Sequence, residues 1–89
     1  MARLNKRLYS KAIECLIEDY DRVCTISDFG IVVNGTQIDH LLLTPSWDGD
    51  NSIHFYCGGD ITDEDADCEE IILTDEQINY VLKEFLNFV

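Results

Sequence analysis

The chain has 89 residues, a formal charge of −12 and 46% hydrophobic residues. That length points to one domain near the lower end of the usual range, with little surplus for a deep cleft, and the apolar fraction excludes a disordered chain. No run approaches the roughly 18 apolar residues of a membrane span. The opening MARLNKRLYSKAIECL lacks the unbroken apolar core of a secretion signal, and acids follow at Glu14, Glu18 and Asp19, so a cytoplasmic setting is expected.

The first predicted element is a helix over residues 3–21. Leu4, Leu8, Ala12, Leu16 and Tyr20 recur every four residues, with Ile13 and Ile17 beside them, which makes one apolar stripe. The middle reads as antiparallel strands. In GIVVNGTQIDHLLL, Asn34-Gly35 lies between two apolar runs and suits the positive φ angles of a two-residue type I′ turn. Cys24, Ile26 and Phe29 extend the first arm of that hairpin or form a separate short strand. The second arm runs to Thr44, where Pro45 ends it by lacking a ladder donor. SWDGDN is a second turn signal, and the strand SIHFYC follows. Its alternation places Ile53, Phe55 and Cys57 on one face and His54 and Tyr56 on the other. After an acidic stretch, Ile71-Ile72-Leu73 suits a short edge strand. Thr74 then caps a helix, with Gln77 completing a capping box and Leu73 and Ile78 placed for a hydrophobic staple. Asp75 and Glu76 fall in the first turn, where the helix dipole favours acids. Ile78, Val81, Leu82, Phe85, Leu86 and Val89 form its stripe.

The order predicts a single α+β domain over residues 1–89. It has an N-terminal helix, an antiparallel meander sheet of three to four strands and a C-terminal helix, with both helices on one sheet face. The other face is open to solvent or a partner, with His40, His54, Tyr56 and Trp47 as its candidate residues. Cross-strand pairing of half-exposed side chains is the plainer role for such residues.

Chemical motifs are scarce. Cys15, Cys24, Cys57 and Cys68 contain no CxxC pair, so zinc ligation is not indicated, and without a secretion signal reduced thiols are expected. A calcium loop starting at Asp63 would place carboxylates at Asp63, Asp65 and Asp67. It then has Cys68 where the turn needs Gly and Thr74 where a bidentate Glu is needed. A frame starting at Asp48, through Asp50, fails at the same two positions. His40 and His54 are the only histidines, and nothing in the sequence sets a nucleophile beside either. Gly58-Gly59 is followed by acids that repel phosphate. No enzyme activity, cofactor or metal is expected.

Charge is the strongest signal. Residues 1–22 hold five bases (Arg3, Lys6, Arg7, Lys11, Arg22) against four acids, whereas residues 23–89 hold Lys83 against fourteen acids. Direct binding to nucleic acid and attraction to an anionic membrane are both disfavoured. The N-terminal bases are expected to pair in part with acids of the fold. In GGDITDEDADCEE, residues 58–70, seven of thirteen residues are acids. Run extended, it projects Asp63, Asp65, Asp67 and Glu69 on one side, roughly 6.6 Å apart, and Glu64 and Glu70 on the other. Asp60, Asp48 and Asp50 are expected at adjacent turns. These nine acids form the candidate partner-binding surface. Duplex DNA carries one charge per roughly 1.7 Å, so a dense acidic row suits a basic groove that otherwise holds nucleic acid.

In size, acidity and the order helix, strands, helix, the chain resembles the small phage-encoded inhibitors of bacterial defence, the acidic anti-CRISPR proteins and anti-restriction DNA mimics. The resemblance covers the whole chain in composition and element order and matches no family motif residue by residue. It implies a bacterial cytosol and a nucleic-acid-binding protein or nuclease as partner. The alternative is a structural or protein-interaction subunit whose acidity serves solubility. In that reading Phe85, Leu86, Phe88 and Val89 span more than one side of the last helix, so that one of them is expected in a homodimer interface. A metal-responsive module built on the acidic loop is a third reading.

Overall fold

The computed structural model describes residues 3–45, 49–59 and 68–89. Its architecture is α+β: two helices, one near each end of the chain, pack on an antiparallel sheet. Helix α1 spans Lys6–Asp19 and helix α2 spans Asp75–Phe88. Strands β1 (Val23–Thr25), β4 (His40–Pro45), β5 (Asn51–Gly58) and β6 (Cys68–Ile71) form a four-stranded sheet in the order β1-β4-β5-β6. Strands β2 (Val32–Val33) and β3 (Thr36–Gln37) form a separate two-stranded sheet.

Helix α1 is shorter than its apolar stripe. The Asn5 side chain accepts the Leu8 amide and sets the N-terminus there. At the other end Asp21 and Arg22 turn out of the helix at φ 50° and 74°, and the Arg22 amide closes on the Leu16 carbonyl at 2.8 Å. Helix α2 starts as expected, with the full Thr74–Gln77 capping box and Asp75 and Glu76 in its first turn. The two helices run side by side in the same direction. Asn79 of α2 binds Asn5 and Arg3 at the start of α1, and Phe85 of α2 meets the Tyr20 ring at its end.

Asn34 and Gly35 both have positive φ, 52° and 78°, and join Val33 to Thr36 as the two-residue turn requires. The second arm differs from the expected single strand reaching Thr44. It breaks at Ile38 and Asp39, so β3 belongs to the small sheet and β4 to the large one. Parity explains the break. Ile38 is fully buried, but so are Leu41 and Leu43, which lie on the opposite alternation. One straight strand cannot bury both sets on one face. Ile38 donates to the Ile31 carbonyl beside the hairpin, while the Asp39 amide turns to Tyr56 of β5. On the first side, Val23–Thr25 is a separate strand and Phe29 closes a 3-10 turn over Ser27–Phe29.

The core lies between the helices and one face of the large sheet. Ala12, Leu16, Val81, Leu82 and Phe85 come from the helices, and Cys24, Leu41, Leu43, Ile53 and Phe55 from the strands. Each large apolar side chain fully buried there contributes about 1.5–3 kcal/mol. The alternation along β5 is as expected, with Ile53 and Phe55 buried and His54 and Tyr56 half-buried on the other face. The edge strand precedes its expected place. It is Cys68–Ile71, because Ile71 pairs with Phe55 and Gly58 with Cys68, and Ile72 then leaves the sheet 83% exposed.

Candidate functional site

The open face of the sheet is built by register. His40, Leu42 and Thr44 of β4 stand opposite Tyr56, His54 and Ser52 of β5, and Glu70 of β6 stands opposite Tyr56. Residues directly opposed in an antiparallel pair share a face. A polar chain therefore crosses three strands. Thr44 Oγ1 lies 3.0 Å from His54 Nε2, and His54 Nδ1 lies 2.6 Å from Glu70 Oε1. The carboxylate can only accept, so Nδ1 carries a proton, and in the neutral ring the Thr44 hydroxyl donates to Nε2. This is the His–carboxylate contact within ion-pair distance among the described residues, and both its side chains are about a third exposed. Neither Lys nor Arg pairs with an acid among the described residues, so the expected pairing of Arg3, Lys6, Arg7 and Lys11 is not met there.

His40 shares this face but not its exposure. It is only 4% exposed, against the expectation that it meets solvent. Its Nε2 meets the carbonyl oxygens of Gly58, at 3.2 Å, and of Gly59, and its Nδ1 meets the Thr25 hydroxyl at 3.1 Å. Carbonyls only accept, so Nε2 holds the ring proton. Asp39 reinforces the same corner, its Oδ2 accepting the Gly58 amide at 2.8 Å. The acidic stretch thus departs from a corner fixed by two side chains of β4 and its approach. Trp47, the remaining open-face candidate, lies outside the described residues.

Of the nine candidate acids, Asp48, Asp60, Asp63, Glu64, Asp65 and Asp67 lie outside the described residues, and with them the extended acidic row. Glu69 and Glu70 are exposed neighbours on β6. Their pairing with Cys57 and Tyr56 sends their side chains to opposite faces, as the extended reading requires. Asp50 does not join them. It precedes the first residue of β5, whereas Glu69 and Glu70 flank its far end, so the strand holds them roughly 20 Å apart. Asp50 instead lines a cavity of about 340 Å³ with Lys6, Tyr9, Ser10 and Ile13 of α1. A smaller cavity of about 140 Å³ lies where β6 leaves β5. Ile53, Phe55, Ile71 and Ile78 give it apolar walls beside His54 and Glu70.

The thiols are quiet. Cys15, Cys24 and Cys57 are free, and Cys68 Sγ lies 3.3 Å from the Gly59 carbonyl. Burial pushes the Cys24 thiol up to about 11, which suppresses the thiolate. Burial, then the Asp19 hydrogen bond and charge, also raises Cys15. Tyr56 is raised by burial first and by Glu70 beside it. No group of three or more metal-ligating side chains occurs among the described residues. No helix among them is long and apolar enough to cross a membrane.

Sequence reasoning missed three side-chain relationships: His54 with Glu70, His40 with the Gly58-Gly59 corner, and Asn79 with the N-terminal segment. Each joins residues that only strand register or helix packing brings together. The residues carried no local signal beyond the alternation that placed His54 on the open face. No family model, no curated protein and no solved structure matches the chain.

Proposed function

We propose that the protein is a non-enzymatic binding module that presents negative charge to the basic groove of a nucleic-acid-binding protein or nuclease, as a decoy for DNA. The observation that carries this reading is the segregation of charge. Four of the bases, Arg3, Lys6, Arg7 and Lys11, are exposed on and before α1. The part of the chain that follows, which builds the sheet and α2, has fourteen acids against Lys83 alone. Glu69 and Glu70 hold two of those acids exposed at the sheet edge, each aimed at a different face. Fixed anions of this kind meet a Lys/Arg channel without the ordering cost that a free acidic tail would add. Such a module acts in the cytoplasm of a bacterial host on a protein partner, with the anti-CRISPR and anti-restriction inhibitors as its functional class. It has no use for a cofactor, nucleic acid or membrane.

The test is displacement of fluorescent duplex DNA from a nuclease by the pure protein. Displacement that weakens steeply with salt supports the reading. So does its loss when Asp63, Asp65, Asp67 and Glu69 are together replaced by Lys. Unchanged displacement by that variant ends it.

A second reading has its own observation. Phe88 is 56% and Val89 48% exposed, and Phe88 stacks on Phe29 with ring centroids 4.6 Å apart, leaving an apolar end on the helix layer. A homodimer through that end predicts a dimer in sedimentation equilibrium, broken by Phe88→Asp. A monomer at high concentration removes it.

A further inference from the structure

A sheet that is not closed leaves a row of main-chain donors and acceptors along each edge. The edges here are β1 and β6. At β1 the outward amide of Val23 is already taken, since it bonds the Tyr20 carbonyl at 3.2 Å. At β6 the register decides which groups face out. The Leu43 amide bonds the Arg22 carbonyl, which turns the main chain of Leu41 and Leu43 toward β1 and that of His40, Leu42 and Thr44 toward β5. Tyr56, His54 and Ser52 accordingly face β4, while Phe55 and Cys57 face β6 and meet Ile71 and Glu69. By alternation the N–H and C=O of Glu70 point outward, with no strand partner among the described residues. Ile72 lies just past the end of β6, two residues beyond Glu70, with its side chain 83% exposed.

We propose that β6 is a docking edge for an extended basic segment of a protein partner, which joins the sheet as a further strand beside Glu70. The proposal rests on the reading of the protein as an acidic module for a basic partner, and gives that contact a geometry. Charge selects the occupant. A second β6 of this chain would bring two successive glutamates against Glu69 and Glu70, and like charges across strands are unfavourable. Lys or Arg opposite each glutamate is favourable, and an aliphatic residue opposite Ile72 covers its exposed side chain. The occupant is therefore an extended segment with two adjacent basic residues and an aliphatic residue two positions further along.

The experiment titrates isotope-labelled protein with a short synthetic peptide repeating Lys-Lys-Thr-Val. Two further peptides of the same sequence are N-methylated at every second residue, one in each frame. N-methylation removes pairing N–H groups and keeps every charge. Strand addition shifts the Glu70 amide and slows its hydrogen exchange. It also makes one methylated frame bind roughly tenfold more weakly than the other. Equal binding by all three peptides, or amide shifts confined to residues away from β6, overturns the proposal. The two readings fail separately. Displacement of DNA from a nuclease with no change at the Glu70 amide ends the docking edge and leaves charge display standing. Pairing at Glu70 without any displacement of DNA keeps the edge and ends the decoy.

Discussion

The Tyr9 hydroxyl of α1 accepts the Ile53 amide of β5 at 2.7 Å. The contact replaces a missing strand neighbour. β5 runs from Asn51 to Gly58, but β6 pairs with it only from Phe55 onward. The Ile53 amide shares the alternation of Phe55 and Cys57, so it points to the side β6 no longer reaches. An amide left there without an acceptor, beside buried Ile53, would lose its hydration for nothing in return. Tyr9→Phe keeps the ring and removes the acceptor. It should lower stability by about 1–2 kcal/mol in urea unfolding and speed exchange of the Ile53 amide specifically. Unchanged exchange at Ile53 would show that the hydroxyl is not its partner in solution.

Asn79 does for the N-terminal segment what Tyr9 does for the sheet. Its Oδ1 accepts the Asn5 amide at 2.8 Å and its Nδ2 donates to the Arg3 carbonyl at 2.7 Å. Asn5 in turn caps α1 through its own side chain. Asn79→Ala should therefore cost about 1 kcal/mol, with faster exchange at Asn5 and Leu8 and little change at Gln77. Equal loosening of both helix starts would count against this selective tie.

The parts of this fold that were legible in the sequence are those whose determinants are local. The Thr74–Gln77 capping box works within one turn of chain, and it stands where it was read. The Asn34-Gly35 turn works within two residues. The stripes of α1 and α2 needed only helical periodicity, although Ile17 and Val89, read into them, are exposed, and the alternation of β5 needed only a period of two. What required a second segment was hidden. That the arm after the hairpin breaks at Ile38 follows from two buried sets of opposite parity, and the sequence alone does not say that both are buried. The partner of His54 depends on β6 beginning at Cys68 rather than Ile71, a register fixed by pairing across the acidic stretch. The same register separated Asp50 from Glu69 and Glu70, which nearness of turn signals had suggested lay together.

The buried thiol of Cys24 gives a pH dependence with a definite sign. Burial raises it from 9.0 to about 11 in the fold. Below the unfolded value both states keep the proton and the thiol leaves stability unaffected. As pH rises past 9 the unfolded chain releases its proton while the folded chain holds it, so folding weakens progressively until the folded value is reached. The loss over that window is on the order of 2 kcal/mol. Urea unfolding between pH 8 and 11 should show a decline that is shallower in Cys24→Ala, although that variant starts less stable because it leaves a cavity. The residual slope belongs to Cys15, Tyr20 and Tyr56, all raised chiefly by burial. Parallel slopes in the two proteins would mean that Cys24 is not buried as a thiol.

His40 joins the fold to the stretch that carries the proposed function. It is buried, and its ring spans from the Thr25 hydroxyl to the carbonyls of Gly58 and Gly59, after which the chain enters the acidic residues. His40→Leu preserves most of the apolar bulk and removes both polar contacts. The carbonyls and the hydroxyl, which belong to exposed residues, then lose the partner the buried ring supplied and turn to water, a change worth about 0.5–1.5 kcal/mol. His40→Gln supplies a side-chain N–H near the place of Nε2 and should recover part of that loss, which a purely steric role for the ring would not allow. The local reporter is the Gly58 amide, held by Asp39 Oδ2 in the same corner. Its exchange should quicken in His40→Leu and recover in His40→Gln, and equal stability of the two variants would refute the hydrogen-bonded role.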